Sequence, residues 1–166
     1  MFKKVIIALA FAIALPVFAA AQKFGTVDVQ SIFAIMPETK TAETQLAEAS
    51  KKYQDEFKKL QEEFDKKYQE FQALDANGPA SIRERREQEL QEYSQKMQQF
   101  RMTAEQDLEK QQQTLLAPIE SKINDAVKAV GQEGGYTFIF QNGIALFQGS
   151  DVTDITSAVK AKLGVK

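Results

Sequence analysis

Asp75-Ala76-Asn77-Gly78-Pro79 decides how this chain folds, because it interrupts two long polar stretches of matching length and helical period. Asn and Gly tolerate the positive φ that ends a helix, and proline cannot continue one. Ser81-Ile82-Arg83-Glu84 then reads as a capping box that starts the next helix. Upstream, from about Pro37 to Leu74, Leu46, Tyr53, Phe57, Leu60, Phe64, Tyr68, Phe71 and Leu74 form one narrow stripe. Its steps of three and four relax a strict heptad and predict only weak supercoiling. Downstream, Leu90, Tyr93, Met97, Phe100, Ala104, Leu108 and Leu115 repeat the pattern. Each stretch would span roughly 55 Å at about 1.5 Å per residue. Two such helices joined by a short turn predict an antiparallel hairpin whose thin seam cannot make a globular core.

Outside this hairpin the periodicity changes. Phe24–Gln30 alternates as a strand, with Val27 and Val29 on one face and Thr26, Asp28 and Gln30 on the other. Ser31 can cap a short helical turn through Ile32, Phe33, Ile35 and Met36, and Pro37 suits the first position of the long helix. Pro118 should kink the return helix at its base. Beyond it Ile119, Ile123, Ala126, Val127 and Val130 form a denser apolar face, ended by Gly131 and Gly134-Gly135. Tyr136–Phe140 and Ile144–Phe147 read as two strands of a hairpin turning at Asn142-Gly143. Ser150 or Asp151 can cap a last amphipathic helix carrying Val152, Ile155, Val159 and Leu163. The fold class expected is therefore α+β. A helical-hairpin arm, residues 38–117, is inserted in a small β-rich body, residues 22–37 and 118–166.

The first twenty-one residues read as a signal peptide: Lys3 and Lys4, an apolar run from Val5 to Leu15, and Ala19-Ala20-Ala21 as cleavage site. Nineteen basic against twenty-three acidic residues remain after Lys3 and Lys4 are removed, a net charge of about −4. That balance, with no His, argues against nucleic acid as a partner, since duplex binding rests on phosphate neutralisation. No Cys is present, so neither a lipidated cysteine nor a disulfide framework is expected. A body of about sixty residues is marginal alone, and oligomerisation would supply the missing burial.

Without His or Cys the commonest acid-base, nucleophilic and metal-ligating groups are missing. Carboxylates such as Glu62, Glu63, Asp65 and Glu70 alternate with lysines on exposed helix faces, where nothing perturbs them. An enzyme is not expected, and no cofactor or metal site is assigned. Arg83, Arg85 and Arg86 at the predicted tip could touch membrane lipid, but interleaved Glu84, Glu87 and Glu89 cancel most of their field. Tyr53, Phe57, Phe64, Tyr68, Phe71, Tyr93, Met97 and Phe100 either zip the hairpin or meet an apolar partner; about two thirds of the stripe is assigned to the zipper.

Taken in order, these segments resemble the Skp/OmpH family of periplasmic chaperones. The resemblance rests on Phe24–Gln30 with Ile32-Phe33, a charged helical hairpin, Pro118-Ile119 before Ile123, Gly135-Tyr136 leading a strand, and Asp151–Ile155. It implies a homotrimer that assembles through its strands, with Val27, Val29, Phe138, Phe140 and Leu146 as body candidates. It implies an ATP-independent holdase in the periplasm, enclosing unfolded outer-membrane β-barrel proteins between three arms. The eight aromatic and methionine residues above are the client-binding candidates. The alternative is a structural envelope adaptor docking one defined partner helix. The best-known members are strongly basic and this chain is acidic, so no lipid-binding residues are carried over.

Overall fold

A computed structural model describes residues 22–75 and 78–165. The expected signal peptide and Ala76-Asn77 of the turn lie outside those residues. The chain is mostly helical with one small sheet: β1 (Phe24–Val27), α1 (Val29–Ile35), α2 (Pro37–Gln72), α3 (Ala80–Glu133), β2 (Phe138–Gln141), β3 (Thr153–Asp154) and α4 (Thr156–Leu163). Both β2 and β3 pair with β1, in parallel, so the first strand occupies the centre of the sheet. Backbone bonds tie it on both sides: Thr137 N–H donates to the Lys23 carbonyl and Ile155 N–H to the Thr26 carbonyl, each at 2.8 Å.

Central placement explains the first correction. With both edges paired, the central strand leaves little of itself exposed, and Gly25, Thr26 and Val27 are all buried where alternation was expected. The strand ends at Val27, because Asp28 turns the chain into α1: its Oδ1 accepts the Ser31 N–H at 2.9 Å. Val29 is thus a helical residue, half-buried against the core, and the helix cap is Asp28 where Ser31 was expected. Val27, Ile32, Met36, Ala42, Ile119, Ile123, Ala126, Val130, Ile155 and Val159 form that core, drawn from β1, all four helices and the residues leading into α2 and α4.

The long helices follow the sequence closely. α2 starts with Pro37 at its first turn, and α3 runs unbroken through Pro118. They lie antiparallel, as the cross-helix pairs Glu38–Lys122, Tyr53–Asp107, Phe57–Phe100 and Phe71–Arg83 require. The capping box does not form. Pro79, with φ −56°, already presets the helical entry, so Ser81 falls inside the first turn and makes no cap bond. Gly131 likewise sits inside α3 and does not stop it. A Cβ there would lie 2.9 Å from Ile139 Cδ1, so glycine lets helix and sheet approach closely. The stop is Gly134-Gly135, with Gly135 at φ +65°.

The expected β-hairpin is absent. Asn142-Gly143 does turn the chain, with Gly143 at φ +84° and Ile144 N–H donating to the Gln141 carbonyl at 3.3 Å. However, Asn142 N–H goes to the Val27 carbonyl at 2.9 Å, and β2 takes β1 as its partner. Ile144–Phe147 is left without a strand to join, and Ile144, Leu146 and Phe147 are exposed. The last helix begins later than expected. Thr153-Asp154 pairs with β1, so the N-cap is Ile155, without a side-chain cap, where Ser150 or Asp151 was expected; Asp154 Oδ1 accepts the Thr156 N–H at 2.8 Å just ahead of it.

Candidate functional site

Two surfaces carry the residues singled out by the sequence. The first is the seam between α2 and α3. Phe100 is its keystone, edge-on to Tyr53 with ring centroids 6.1 Å apart and stacked on Phe57 at 6.4 Å. Leu60 and Ala104 are buried nearby, and Met97 is half-buried. Two tyrosines tie the helices together through their hydroxyls. Tyr53 Oη donates to Asp107 Oδ2 at 3.0 Å, and Tyr93 Oη donates to Glu63. Donation to a carboxylate favours the neutral phenol, so Tyr53 is raised above its usual range and Tyr93 is pushed up to about 12.

Cations cover several of the remaining rings. Arg101 lies 6.0 Å from the Phe57 centroid, Arg83 5.2 Å from Phe71, and Lys96 5.1 Å from Tyr93. Phe64 and Tyr68 stack on each other along α2 at 6.3 Å. Of the eight client-binding candidates, seven are half-buried in or beside the seam, and Tyr68 alone is largely exposed, at 45%. Sequence reasoning missed Met102 and Ile82, apolar residues exposed on α3, and the tyrosine–carboxylate bonds. The choice of Tyr over Phe at 53 and 93 was the available signal for those bonds.

At the predicted tip, Glu89 takes both Arg86, at 2.6 Å, and Arg85, at 3.6 Å. The Arg86 bond holds the Glu89 carboxyl below its ordinary range. Those arginines are therefore largely neutralised within the chain. At the other end of the seam Lys122 donates to Glu38 and likewise lowers its carboxyl. Among the described residues, no group of His, Cys, Asp or Glu is placed to hold a metal ion.

The second surface is the outer face of the sheet. Phe24 stacks on Phe138 at 6.2 Å, and Phe138 on Phe140 at 6.1 Å, a ladder of three rings across β1 and β2. Phe138 is 55% exposed and Phe140 43%, and neither belongs to the chain's own core. Ile144, Leu146 and Phe147 extend this apolar exposure beyond β2. Of the five body candidates, the structure thus buries Val27, half-buries Val29, and leaves Phe138, Phe140 and Leu146 at the surface.

Comparison with known proteins adds to this geometry. A protein-family profile described as "Outer membrane protein (OmpH-like)" matches residues 23–163. No curated protein matches the sequence significantly. Among solved structures, one is similar with a TM-score of 0.72 at 15% identity, over 86% of this chain and 83% of the other. It is a crystal structure at 2.83 Å of an OmpH-like protein from Caulobacter crescentus CB15, proposed to be an outer membrane chaperone.

Proposed function

This chain belongs to the OmpH-like family of outer membrane proteins, and we propose that it is a periplasmic holdase chaperone that binds unfolded outer-membrane β-barrel proteins without ATP. The observation that carries this reading is the α2–α3 pair. It is a long, open seam of half-buried aromatic side chains projecting from a small core. An unfolded β-barrel protein exposes apolar side chains and unpaired strand edges that aggregate in water. Rings and methylenes spread along a helical pair about 55 Å long can each contribute a weak contact. Avidity then replaces a deep pocket, and release follows when the client reaches a more stable fate.

In this reading the arm spans residues 38–117 and the body comprises residues 22–37 and 118–166. Three bodies join through the exposed sheet face, where Phe138 and Phe140 await a partner, and through Leu146 in the segment beyond it. A homotrimer would surround a client with three arms. The alternative, an adaptor docking one partner helix, would be favoured by a single continuous apolar trench. Two separate grooves flank Tyr53 and Phe100 instead, which suits many dispersed contacts.

The test is dilution of a urea-unfolded outer-membrane β-barrel protein into buffer containing the mature chain and no nucleotide. Light scattering by the aggregating client should fall as the chaperone reaches stoichiometric amounts. Single alanine variants at Phe57, Phe64, Tyr68, Phe71 or Met97 should retain most of that protection, and a variant combining them should lose it. Unchanged aggregation in excess wild-type protein would sink the holdase reading. Loss of all protection through one folded single variant would favour the adaptor.

A further inference from the structure

The two flanks of the α2–α3 seam are chemically different. One groove is lined by Gln45, Glu48, Ala49, Lys52 and Glu56 facing Gln111, the other by Ser50, Gln54 and Phe57 facing Arg101, Glu105 and Leu108. Residues seven or eleven apart return to the same flank of a helix. The Lys52–Glu56 side therefore continues through Glu63 and Lys67 on α2; on α3, Asp107 lies one turn before Gln111, and Lys96 lies eleven residues before Asp107. The Gln54 side continues through Glu43, Gln61, Asp65 and Tyr68 on α2 and through Ser94 and Gln98 on α3, so it carries fewer charges facing the seam but is not free of them. Both tyrosine–carboxylate bonds lie on the first flank, since they end on Asp107 and Glu63. That flank carries both polar bonds and is walled on α2 by Glu48, Lys52 and Glu56.

We propose that the second flank, whose groove adds Phe57, Ala104 and Leu108 to the shared Tyr53 and Phe100, is the client-facing side of the arm, and that its occupant is an extended apolar segment of an unfolded polypeptide. The proposal rests on the holdase reading and names which face performs it. Covering Glu48, Lys52 and Glu56 with an apolar segment would strip ions of water, which costs far more than covering amides. Gln54, Gln61 and Gln98 are exposed and carry both a donor and an acceptor, so they can pair with backbone N–H and C=O groups of any sequence. Between them lie the apolar contacts: Phe57, and the Phe64–Tyr68 stack with its exposed outer ring. This flank's groove has a volume of about 320 Å³, smaller than the 530 Å³ on the charged side. Wall chemistry decides between them, because a holdase contact needs cheap desolvation and not capacity. Arg101, lying over Phe57, and Glu105 rim the groove, and a long side chain there can swing aside as a client segment reaches the ring.

The test places a photo-crosslinking residue at neighbouring positions of opposite flank in the full mature chain. Gln54 is compared with Lys52, and Gln98 with Lys96; two residues are about 200° apart on a helix, at nearly equal height. All four side chains are exposed, and circular dichroism checks that each variant keeps its helicity. Against a urea-unfolded outer-membrane β-barrel protein, adducts from positions 54 and 98 should exceed those from 52 and 96 by about fivefold or more. As a second readout, Gln54→Lys combined with Gln98→Lys should weaken aggregation suppression severalfold. Equal adducts from both flanks, or a bias toward Lys52 and Lys96, would overturn the assignment while leaving the holdase reading intact, provided that the wild type still suppresses aggregation. A wild type that neither suppresses aggregation nor crosslinks would overturn both.

Discussion

Replacing Ile123 by Ala and, separately, Phe138 by Ala divides burial made within one chain from burial proposed between chains. Ile123 is 1% exposed and sits in the core with Val27, Ile32 and Val159. Truncating it leaves a cavity as well as losing transfer energy, a cost of about 3–4 kcal/mol. That cost is set inside one chain and should not depend on protein concentration. Phe138 is 55% exposed, so less than half of its side chain is covered by its own chain. A phenylalanine buries on the order of 200 Å² when fully covered. The part already covered is then about 90 Å², or about 2 kcal/mol at 25 cal/mol per Å². Assembly through the sheet face would cover the remainder and add roughly 3 kcal/mol per chain on the same scale. Urea denaturation followed by circular dichroism, at two concentrations differing about a hundredfold, separates these contributions. The cost of Ile123→Ala should stay constant, while that of Phe138→Ala should rise with concentration as light scattering reports assembly. A cost for Phe138→Ala that stays near 2 kcal/mol at both concentrations would refute assembly through this face.

Thr39 is buried and its hydroxyl has no hydrogen-bond partner among the described residues, so Thr39→Val should raise stability by about 1 kcal/mol, seen as a higher denaturation midpoint. A lowered midpoint would mean that the hydroxyl is satisfied in solution. Tyr93 is held protonated by Glu63, with its pKa pushed up to about 12, above the 10 of an unfolded tyrosine. The unfolded chain therefore loses its proton first, and this contribution, intact below about pH 10, should fade as pH rises toward 12. Ultraviolet titration should find one of the four tyrosines ionising last, and Glu63→Gln should return it toward the others. Pro118 lies inside α3, where it removes one intrahelical donor. Pro118→Ala should stabilise the helix and alter small-angle scattering dimensions; unchanged dimensions would deny Pro118 a role in setting the arm's direction.

The helices were legible in the sequence because their signal is local. The stripe from Tyr53 to Leu74, and its echo from Leu90 to Leu115, fixes two helices whatever lies around them. Pro37 and Gly134-Gly135 mark ends for reasons of backbone geometry that no tertiary contact needs to supply. The sheet was legible only in part, because pairing is a decision between distant segments. Asn142-Gly143 carries the strongest short signal for a hairpin, and the turn forms; yet β2 is claimed by Phe24–Val27, over a hundred residues away. Val29 was read as a strand residue for the same reason: alternation continued past the point where Asp28 bends the chain. The seam's aromatics were visible, whereas the difference between its flanks needed the helix-to-helix register, which only cross-helix pairs such as Tyr53–Asp107 reveal.

The central place of β1 governs the order in which this chain can acquire its structure. A polypeptide made from its amino end presents Phe24–Val27 long before either neighbouring strand exists. α2 and α3 can zip as soon as their own residues are out, since each contact closes on the turn between them. The sheet must wait for Thr153-Asp154, and the core for Val159, close to the last residue of the chain. During that interval the first strand has both edges bare, and the nascent chaperone carries the kind of hazard that it is proposed to guard in others. Shortening the chain by its final fifteen residues should therefore leave a helical protein that aggregates, its helix content nearly intact and its first strand never enclosed.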